Sequence, residues 1–126
     1  MDPGSPEISQ ALPKTRRLLK RAEFRQVYDQ GFRVVATTFV AFCWKAPVAD
    51  GAGAEAAKIG FTTPRALGKA VKRNRMRRRL RETIRRRLHA LSPGWRIVWN
   101  LRRPALDAPI ALLESEVERV FARCNR

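Results

Sequence analysis

A strongly basic segment, Arg65 to Arg87, limits the folds open to this chain more than any other stretch. Twelve of its 23 residues are Lys or Arg. Apolar residues recur through it and just beyond it at intervals of four, four, four and three: Met76, Leu80, Ile84, Leu88 and Leu91. This spacing predicts one face of an α-helix. The opposite face carries Asn74, Arg75, Arg78, Glu82, Arg85 and Arg86. The segment therefore predicts an amphipathic helix that packs on a core and presents guanidinium groups outward.

The composition predicts a polyanionic partner for this helix. Arginine binds phosphate through a planar fork of donors and also stacks on bases. The 126-residue chain has a formal net charge of +16 and an isoelectric point of about 11.6. So large a charge opposes compaction until phosphates neutralise it. No run approaches the roughly 20 apolar residues of a membrane span. Nucleic acid, and not a membrane, is the partner class that follows.

The remaining elements are predicted in the order α-β-β-β-α-β-α. Residues 1–13 contain three prolines and no apolar period, which indicates a disordered leader before a single domain over residues 14–126. Leu18 and Leu19 are its first apolar anchors. Runs of β-branched and aromatic residues predict strands at Phe32–Ala36, Phe39–Lys45, Lys58–Thr63 and Trp95–Leu101. Helices are predicted from about Arg21 to Gly31, from between Gly68 and Lys72 to before Pro93, and from Pro109 to about Ala122.

A sheet with helices packed on it predicts an α+β two-layer sandwich. The connection through the basic helix is long enough to join parallel strands, and such crossovers are right-handed in the great majority of proteins. The second strand is apolar on both faces, so either both faces are covered or one is kept for a ligand. In the last helix the apolar side is predicted to be Ile110, Leu113, Val117, Val120 and Phe121. Its outer face is predicted to carry Glu114, Glu116 and Glu118.

The residues form no catalytic constellation. His89, the only histidine, has no Cys or acidic neighbour at ligand spacing and is interpreted as a solvated residue. The 11 acidic residues include no pair at a strand end, where a two-metal nuclease needs its carboxylates. Cys43 and Cys124 lack metal-binding spacing, and Cys43 is predicted to be a buried free thiol in a reducing cytoplasm. Taken alone, the residues describe an RNA- or DNA-binding module without an active site.

Two aromatic residues of the first helix leave two interpretations open. Phe24 and Tyr28 are four residues apart and lie near Arg17, Arg21 and Arg25. Either the rings pack in the core, or they form a stacking surface for a single-stranded nucleic acid whose backbone the neighbouring cations bind.

The segment Gly68–Glu82, GKAVKRNRMRRRLRE, resembles the signature of the bacterial ribonuclease P protein component. The matching positions are Gly68, Ala70, Val71, Arg73, Asn74, Arg75, Arg78, Arg81 and Glu82. The resemblance extends to Arg21–Phe24, Thr38–Val40, Ile59–Phe61 and Trp95–Val98, and it covers roughly residues 16 to 123. The family's Ser/Lys-rich turn before the helix reads Thr62-Thr63-Pro64-Arg65 here, so that Arg65 alone keeps a cation in that turn.

The resemblance implies a fold and a function. The fold is a two-layer sandwich of the ribosomal protein S5 domain 2-like type, with a left-handed β-α-β crossover around the basic helix. The function is that of the protein subunit of ribonuclease P, which assists endonucleolytic removal of the 5′ leader from precursor tRNA. The catalytic centre lies in the RNA subunit, which also binds most of the Mg²⁺. The protein binds that RNA, holds the leader in a cleft and promotes Mg²⁺ binding, and it requires no further protein partner.

The resemblance also implies residue roles, with no catalytic and no metal-binding residue in this chain. The predicted contacts to the RNA subunit are Lys69, Lys72, Arg73, Asn74, Arg75, Arg78, Arg79 and Arg81. The predicted contacts to the leader are Phe24, Tyr28, Phe42 and Arg65. Two structural alternatives stay open: Asn74 caps the helix start or bonds within the helix, and Arg73 lies partly on the apolar side.

A different class of function also matches the charge and the amphipathic helix. A structural RNA-binding protein, such as a ribosomal component or an RNA chaperone, would have both. It would not need the Arg73-Asn74-Arg75 context or the matching first helix.

Overall fold

A four-stranded mixed sheet organises the structure. The structure is a computed structural model and describes residues 12–18, 20–48 and 51–126. The strands are β1 (Phe32–Val35), β2 (Phe39–Lys45), β3 (Lys58–Thr62) and β4 (Trp95–Leu101). They lie in the order β1-β2-β4-β3, with β3 parallel to β4 and the other neighbours antiparallel. The strands predicted from the sequence are therefore confirmed, β2 and β4 to the residue.

Helices cover both faces of this sheet. They are α1 (Arg21–Gln30), α2 (Ala70–Arg87) and α3 (Ile110–Cys124). Short 3-10 turns lie at Lys14–Arg16, Arg65–Leu67, Leu88–Ala90 and Arg103–Leu106. Because α2 connects the parallel neighbours β3 and β4, it is the crossover that the sequence predicted, and the order α-β-β-β-α-β-α is confirmed. In the part of the chain described, no helix has the length and apolar character needed to cross a membrane.

The main core lies between α2, α3 and one face of the sheet. The predicted apolar stripe of α2, Met76 to Leu91, is buried at every position. Trp99 of β4 lies at the centre, with its ring centroid 4.8 Å from that of Phe39 and 6.3 Å from that of Phe121. Leu12, which the sequence analysis assigned to the leader, is 3% exposed and belongs to this core. Residues 1–11 of that leader and the predicted anchor Leu19 lie outside the described residues.

The opposite face of the sheet carries α1. Val27 and Leu18 are buried there against Val98 of β4, and Phe42 and Trp44 pack partly on the same cluster. β2 therefore buries one face fully and has its second face partly covered by α1. Helix α1 ends at the predicted Gly31 because the chain passes close to β2 at that point. A Cβ on Gly31 would lie 2.6 Å from the carbonyl oxygen of Cys43.

The last helix corrects two predictions. Ile110 is 49% exposed, because it is the first residue of α3 and lies one turn before the residues that reach the core. Glu116 is 6% exposed instead of lying on the outer face. Its carboxylate accepts hydrogen bonds from the backbone N–H of Thr37 (2.7 Å) and of Thr38 (3.0 Å) and from Oγ1 of Thr38 (2.6 Å). The β1–β2 turn leaves these donors without strand partners, and the buried carboxylate satisfies them.

An ion-pair cluster ties α2 to α3. The guanidinium of Arg87 lies 3.1 Å from Glu114 and 2.9 Å from Glu118. The hydrogen bond to Glu118 raises the pKa of Arg87, and Glu114 adds to the effect, so the group stays charged. The two helices thus share a polar contact at the rim of their apolar interface.

Both cysteines are buried free thiols, as predicted for Cys43. Cys43 of β2 faces Cys124 of α3. A hydrogen bond to the Cys124 side chain, together with burial, raises the pKa of the Cys43 thiol far above its ordinary value. The pair therefore behaves as part of the apolar core.

Candidate nucleic-acid interface

The predicted contacts to the RNA subunit lie along α2 and at the residue before it. Helix α2 starts at Ala70 and packs its apolar stripe on the core. The opposite side of the helix therefore points away from the sheet. Five of the eight predicted residues are exposed and form what we call the basic helix face: Lys69, Lys72, Asn74, Arg75 and Arg78. The other three, Arg73, Arg79 and Arg81, are half-buried. A shallow depression of about 490 Å³ runs along this face and includes Val71, which is 80% exposed.

Two of the half-buried arginines stabilise the protein itself. Arg79 donates from its guanidinium to the carbonyl of Ala105 at 2.8 Å and to that of Ala108. It thereby fastens α2 to the segment that leads into α3. Arg73 donates through Nε to the carbonyl of Gly68 at 3.1 Å, which closes the turn before the helix. The partly structural interpretation of Arg73 is therefore supported, and Arg79 has a structural task that the sequence did not indicate.

Asn74 does not cap the helix. Residue Lys69 precedes the first turn as the N-cap, and Asn74 is the fifth residue of α2. Its Oδ1 accepts a hydrogen bond from the guanidinium of Arg77. Glu82, the one acid of the segment, pairs with Arg85 at 3.0 Å. The other side chains of the basic helix face keep a dense positive charge, which suits a row of phosphates.

The predicted leader-binding residues lie on the opposite face of the sheet, but not all at one surface. Tyr28 of α1 and Phe42 of β2 are in edge-to-face contact, with centroids 4.8 Å apart. Phe24 is half-buried and packs over Gly60 of β3, where a Cβ would lie 2.6 Å from its Cζ. Arg65 is exposed in the 3-10 turn that follows β3. Phe24 thus packs partly on the cluster beneath α1, while Tyr28 and Phe42 form a shared aromatic surface.

The structure adds polar residues to this surface that the sequence analysis did not single out. Asn100 of β4 lies between Val40 of β2 and Thr62 of β3 in the sheet register. The hydroxyl of Tyr28 donates to Oδ1 of Asn100 at 2.7 Å and lies 3.1 Å from Oγ1 of Thr62. One sequence signal could have pointed to Asn100: it is an amide in the otherwise apolar end of a predicted strand, WNL. We call this surface the sheet groove, made of Tyr28, Val40, Phe42, Thr62 and Asn100.

Comparison with known proteins decides the family. The model of the family described as Ribonuclease P matches residues 12–125. The chain belongs to the ribonuclease P protein family. A ribonuclease P protein component from Symbiobacterium thermophilum is 39% identical over 114 residues, which is 90% of this chain and 95% of that protein. One from Chloroflexus aggregans is 36% identical over 109 residues, 86% of this chain and 76% of the relative.

Solved ribonuclease P proteins share the fold. The protein from Staphylococcus aureus superposes with a TM-score of 0.68 at 24% identity, over 87% of this chain and 95% of that one. The protein from Thermotoga maritima gives 0.70 at 23% identity, over 85% and 96%. The recognition from Gly68–Glu82 and the α+β fold class are confirmed. The chain is thus a protein subunit of ribonuclease P, an enzyme of tRNA processing, and RNA is its partner.

Potential metal ligands are dispersed over the described residues of this ribonuclease P protein. No three His, Cys, Asp or Glu side chains among them come together in a group that could hold a metal ion. Hard divalent cations need several oxygen ligands, and the basic helix face offers guanidinium and ammonium groups instead. The predicted roles of the individual residues toward RNA and leader stay predictions.

Proposed function

We propose that this ribonuclease P protein assists removal of the 5′ leader from precursor tRNA by binding two RNAs on opposite sides of its sheet. The basic helix face binds the catalytic RNA subunit, and the sheet groove binds the single-stranded leader. The observation that carries this proposal is the separation of two surfaces with different chemistry. Helix α2 packs on the sheet face that contains Trp99, whereas Tyr28, Phe42 and Asn100 lie on the other.

The chemistry of the basic helix face supports a structured RNA partner. Lys69, Lys72, Arg75 and Arg78 are exposed over the first turns of α2 and at the residue before it. Cations spaced in this way neutralise successive phosphates and release their counterions. The helix itself is held by its buried stripe and by Arg79, so its cations are positioned before RNA arrives.

The chemistry of the sheet groove supports a single strand. Aromatic rings at Tyr28 and Phe42 offer surfaces on which bases stack irrespective of sequence. Arg65 is exposed near the end of β3, the strand that contributes Thr62, and can contact the leader backbone there. A duplex would hide its base faces from these rings, whereas an extended leader exposes them.

In this proposal the RNA subunit supplies the catalytic centre and binds most of the Mg²⁺. The protein contributes by neutralising phosphates, which lowers the repulsion that opposes close packing of RNA around divalent ions. The cytoplasm is the proposed place of action.

A cleavage assay tests the proposal. Precursor tRNA labelled at its 5′ end is incubated at low Mg²⁺ with a bacterial ribonuclease P RNA, with the protein, or with both. We expect cleavage to be fastest by far when both are present. Cleavage by the purified protein alone would show an active site in this chain. No stimulation in any mixture would favour a structural RNA-binding role instead.

A further inference from the structure

Two arginines are held against the end of the edge strand β1 by hydrogen bonds to its backbone. Arg102, the residue after β4, donates from Nη1 to the carbonyl of Ala36 at 2.8 Å. Arg119 of α3 donates from Nη2 to the carbonyl of Val35 at 2.9 Å. Both side chains are exposed, and both line a depression of about 380 Å³ between α3 and the β1–β2 turn. We call it the Arg102–Arg119 depression.

The positive charge of this depression is largely uncompensated. Over residues 12–18, 20–48 and 51–126, neither guanidinium lies within ion-pair distance of a carboxylate, whereas Arg96 lies 2.7 Å from Glu55. Glu116 also lines the depression. It is 6% exposed, and its oxygens already accept three hydrogen bonds from Thr37 and Thr38. Two cations and one buried carboxylate leave the depression with a net positive charge.

The remaining donors of both guanidinium groups are held in place. A guanidinium has five N–H donors in one plane. In the described part of the chain, Arg102 and Arg119 each donate through a single nitrogen, so the other donors are available at the depression. The bonds to β1 restrict both side chains in advance, and less entropy is therefore lost when a ligand binds. Planar forks of this kind match the oxygens of a phosphate group.

The position of the depression favours a phosphate of an RNA backbone. RNA is the partner of this ribonuclease P protein. Helix α2 begins at the same end of the sheet, because β3 runs parallel to β4 and leads into that helix. Arg103 donates to the carbonyl of Ala66 at 2.9 Å and links the segment after β4 to the turn before α2. The edge strands β1 and β3 are three strand spacings apart, about 14 Å. The depression is therefore a separate place of contact at the end where the basic helix face starts.

We propose that Arg102 and Arg119 form a binding site for a backbone phosphate of RNA, distinct from the basic helix face and from the sheet groove. Each guanidinium donates to phosphate oxygens, and the phosphate neutralises two cations that repel each other in the protein without RNA. The site does not depend on leader binding. The RNA subunit and precursor tRNA are the two sources of such a phosphate.

The test compares two double variants of equal net charge. Arg102→Gln with Arg119→Gln removes both charges, and each new amide can still donate to the β1 carbonyls. Lys45→Gln with Arg126→Gln is the control, because it removes two exposed charges near the start of β4, at the opposite end of the sheet. The affinity of the protein for ribonuclease P RNA is measured at several salt concentrations. The affinity of the assembled holoenzyme for precursor tRNA is measured in the same buffers.

We expect the slope of log affinity against log salt to fall by about 1 in the arginine variant and to stay near the wild-type value in the control. A fall for ribonuclease P RNA assigns the phosphate to the RNA subunit, and a fall for precursor tRNA alone assigns it to the substrate. Arg119→Gln by itself, a change on the surface of α3, should also lower the slope and serves if the double variant does not fold.

Two results would overturn the site. One is an unchanged slope in both assays for the arginine variants, and the other is an equal fall in the arginine variant and the control. Inorganic phosphate is added to the protein without RNA as a third measurement. Stabilisation of the wild type alone, with both slopes unchanged, would show a site for free anions and overturn the assignment to RNA.

Discussion

At the scale of single residues, Glu116 is the buried anion that holds the β1–β2 turn. Burial by itself would raise the pKa of this carboxyl, but the hydrogen bonds from Thr38 and Thr37 outweigh it and lower the pKa below the ordinary value. A group with a lowered pKa in the folded state stabilises the protein above its unfolded pKa. That stabilisation is lost as the pH falls through the folded pKa.

Glu116→Gln should therefore destabilise the protein at neutral pH by about 1–3 kcal/mol, the cost of leaving a buried donor unpaired. Below pH 4.5, the ordinary pKa of the group, the wild type should lose this advantage, and the two unfolding free energies should converge. Urea denaturation across this pH range measures both effects. Asp29→Asn, at an exposed acid of α1, is the control. Equal stability of Glu116→Gln and wild type at neutral pH would contradict the assignment.

Residues such as Glu116 and Asn100 show why the site was only partly predictable. Helical period places Glu116 on the flank of α3, and nothing local indicates a turn 78 positions earlier that needs its carboxylate. Asn100 obtains its role from a phenol 72 positions away. By contrast, the basic helix face follows from local period alone, because every fourth residue of α2 faces the core. Strands β2 and β4 were predictable to the residue because turn or proline residues bound their apolar runs.

At the scale of elements, α2 combines an outward and an inward set of arginines. Arg75 and Arg78 belong to the exposed set, so their replacement by Ala should weaken binding to the ribonuclease P RNA. The slope of log affinity against log salt should fall by about 1 for each phosphate that the variant no longer neutralises. Filter binding or anisotropy at several salt concentrations measures the slope. A slope equal to that of the wild type would remove both residues from the interface.

Arg79→Ala is the matched change on the inward side. Its guanidinium donates to the carbonyls of Ala105 and Ala108, so its removal should cost about 1–3 kcal/mol of unfolding free energy. The salt slope for RNA binding should change less than in the Arg75 and Arg78 variants. A slope reduced by a full unit, with unchanged stability, would place Arg79 at the RNA instead.

The packing contact between α1 and β3 offers another test at this scale. The ring of Phe24 occupies the space above Gly60, and a Cβ there would lie 2.6 Å from it. Gly60→Ala should displace the ring, destabilise the protein by about 1–3 kcal/mol and reduce the affinity that depends on the leader. Phe24→Leu, which keeps an apolar group in that space, should disturb leader binding less. Wild-type stability of Gly60→Ala would show that α1 adjusts freely.

At the scale of the whole molecule, a net charge of +16 affects folding and binding in opposite directions. Repulsion among these charges destabilises the free protein, and salt screens it. Raising the salt from ~0.01 M to ~0.15 M should therefore increase the unfolding free energy of the protein without RNA, while the same change weakens its binding to RNA. Denaturation and binding measured in the same buffers check both signs. A free protein that salt destabilises would contradict this account.

The hydrogen bonds at the two edge strands of the sheet affect how the protein associates with itself before it binds RNA. Open strand edges invite pairing with strands of other molecules and lead to aggregation. Here the backbone N–H of Leu18 donates to the carbonyl of Ile59 along the edge strand β3. At the other edge, Arg119 and Arg102 donate to the carbonyls of Val35 and Ala36 at the end of β1. Salt that screens the charge repulsion should therefore leave the chain dispersed, because hydrogen bonds to Ile59, Val35 and Ala36 already occupy part of each sheet edge.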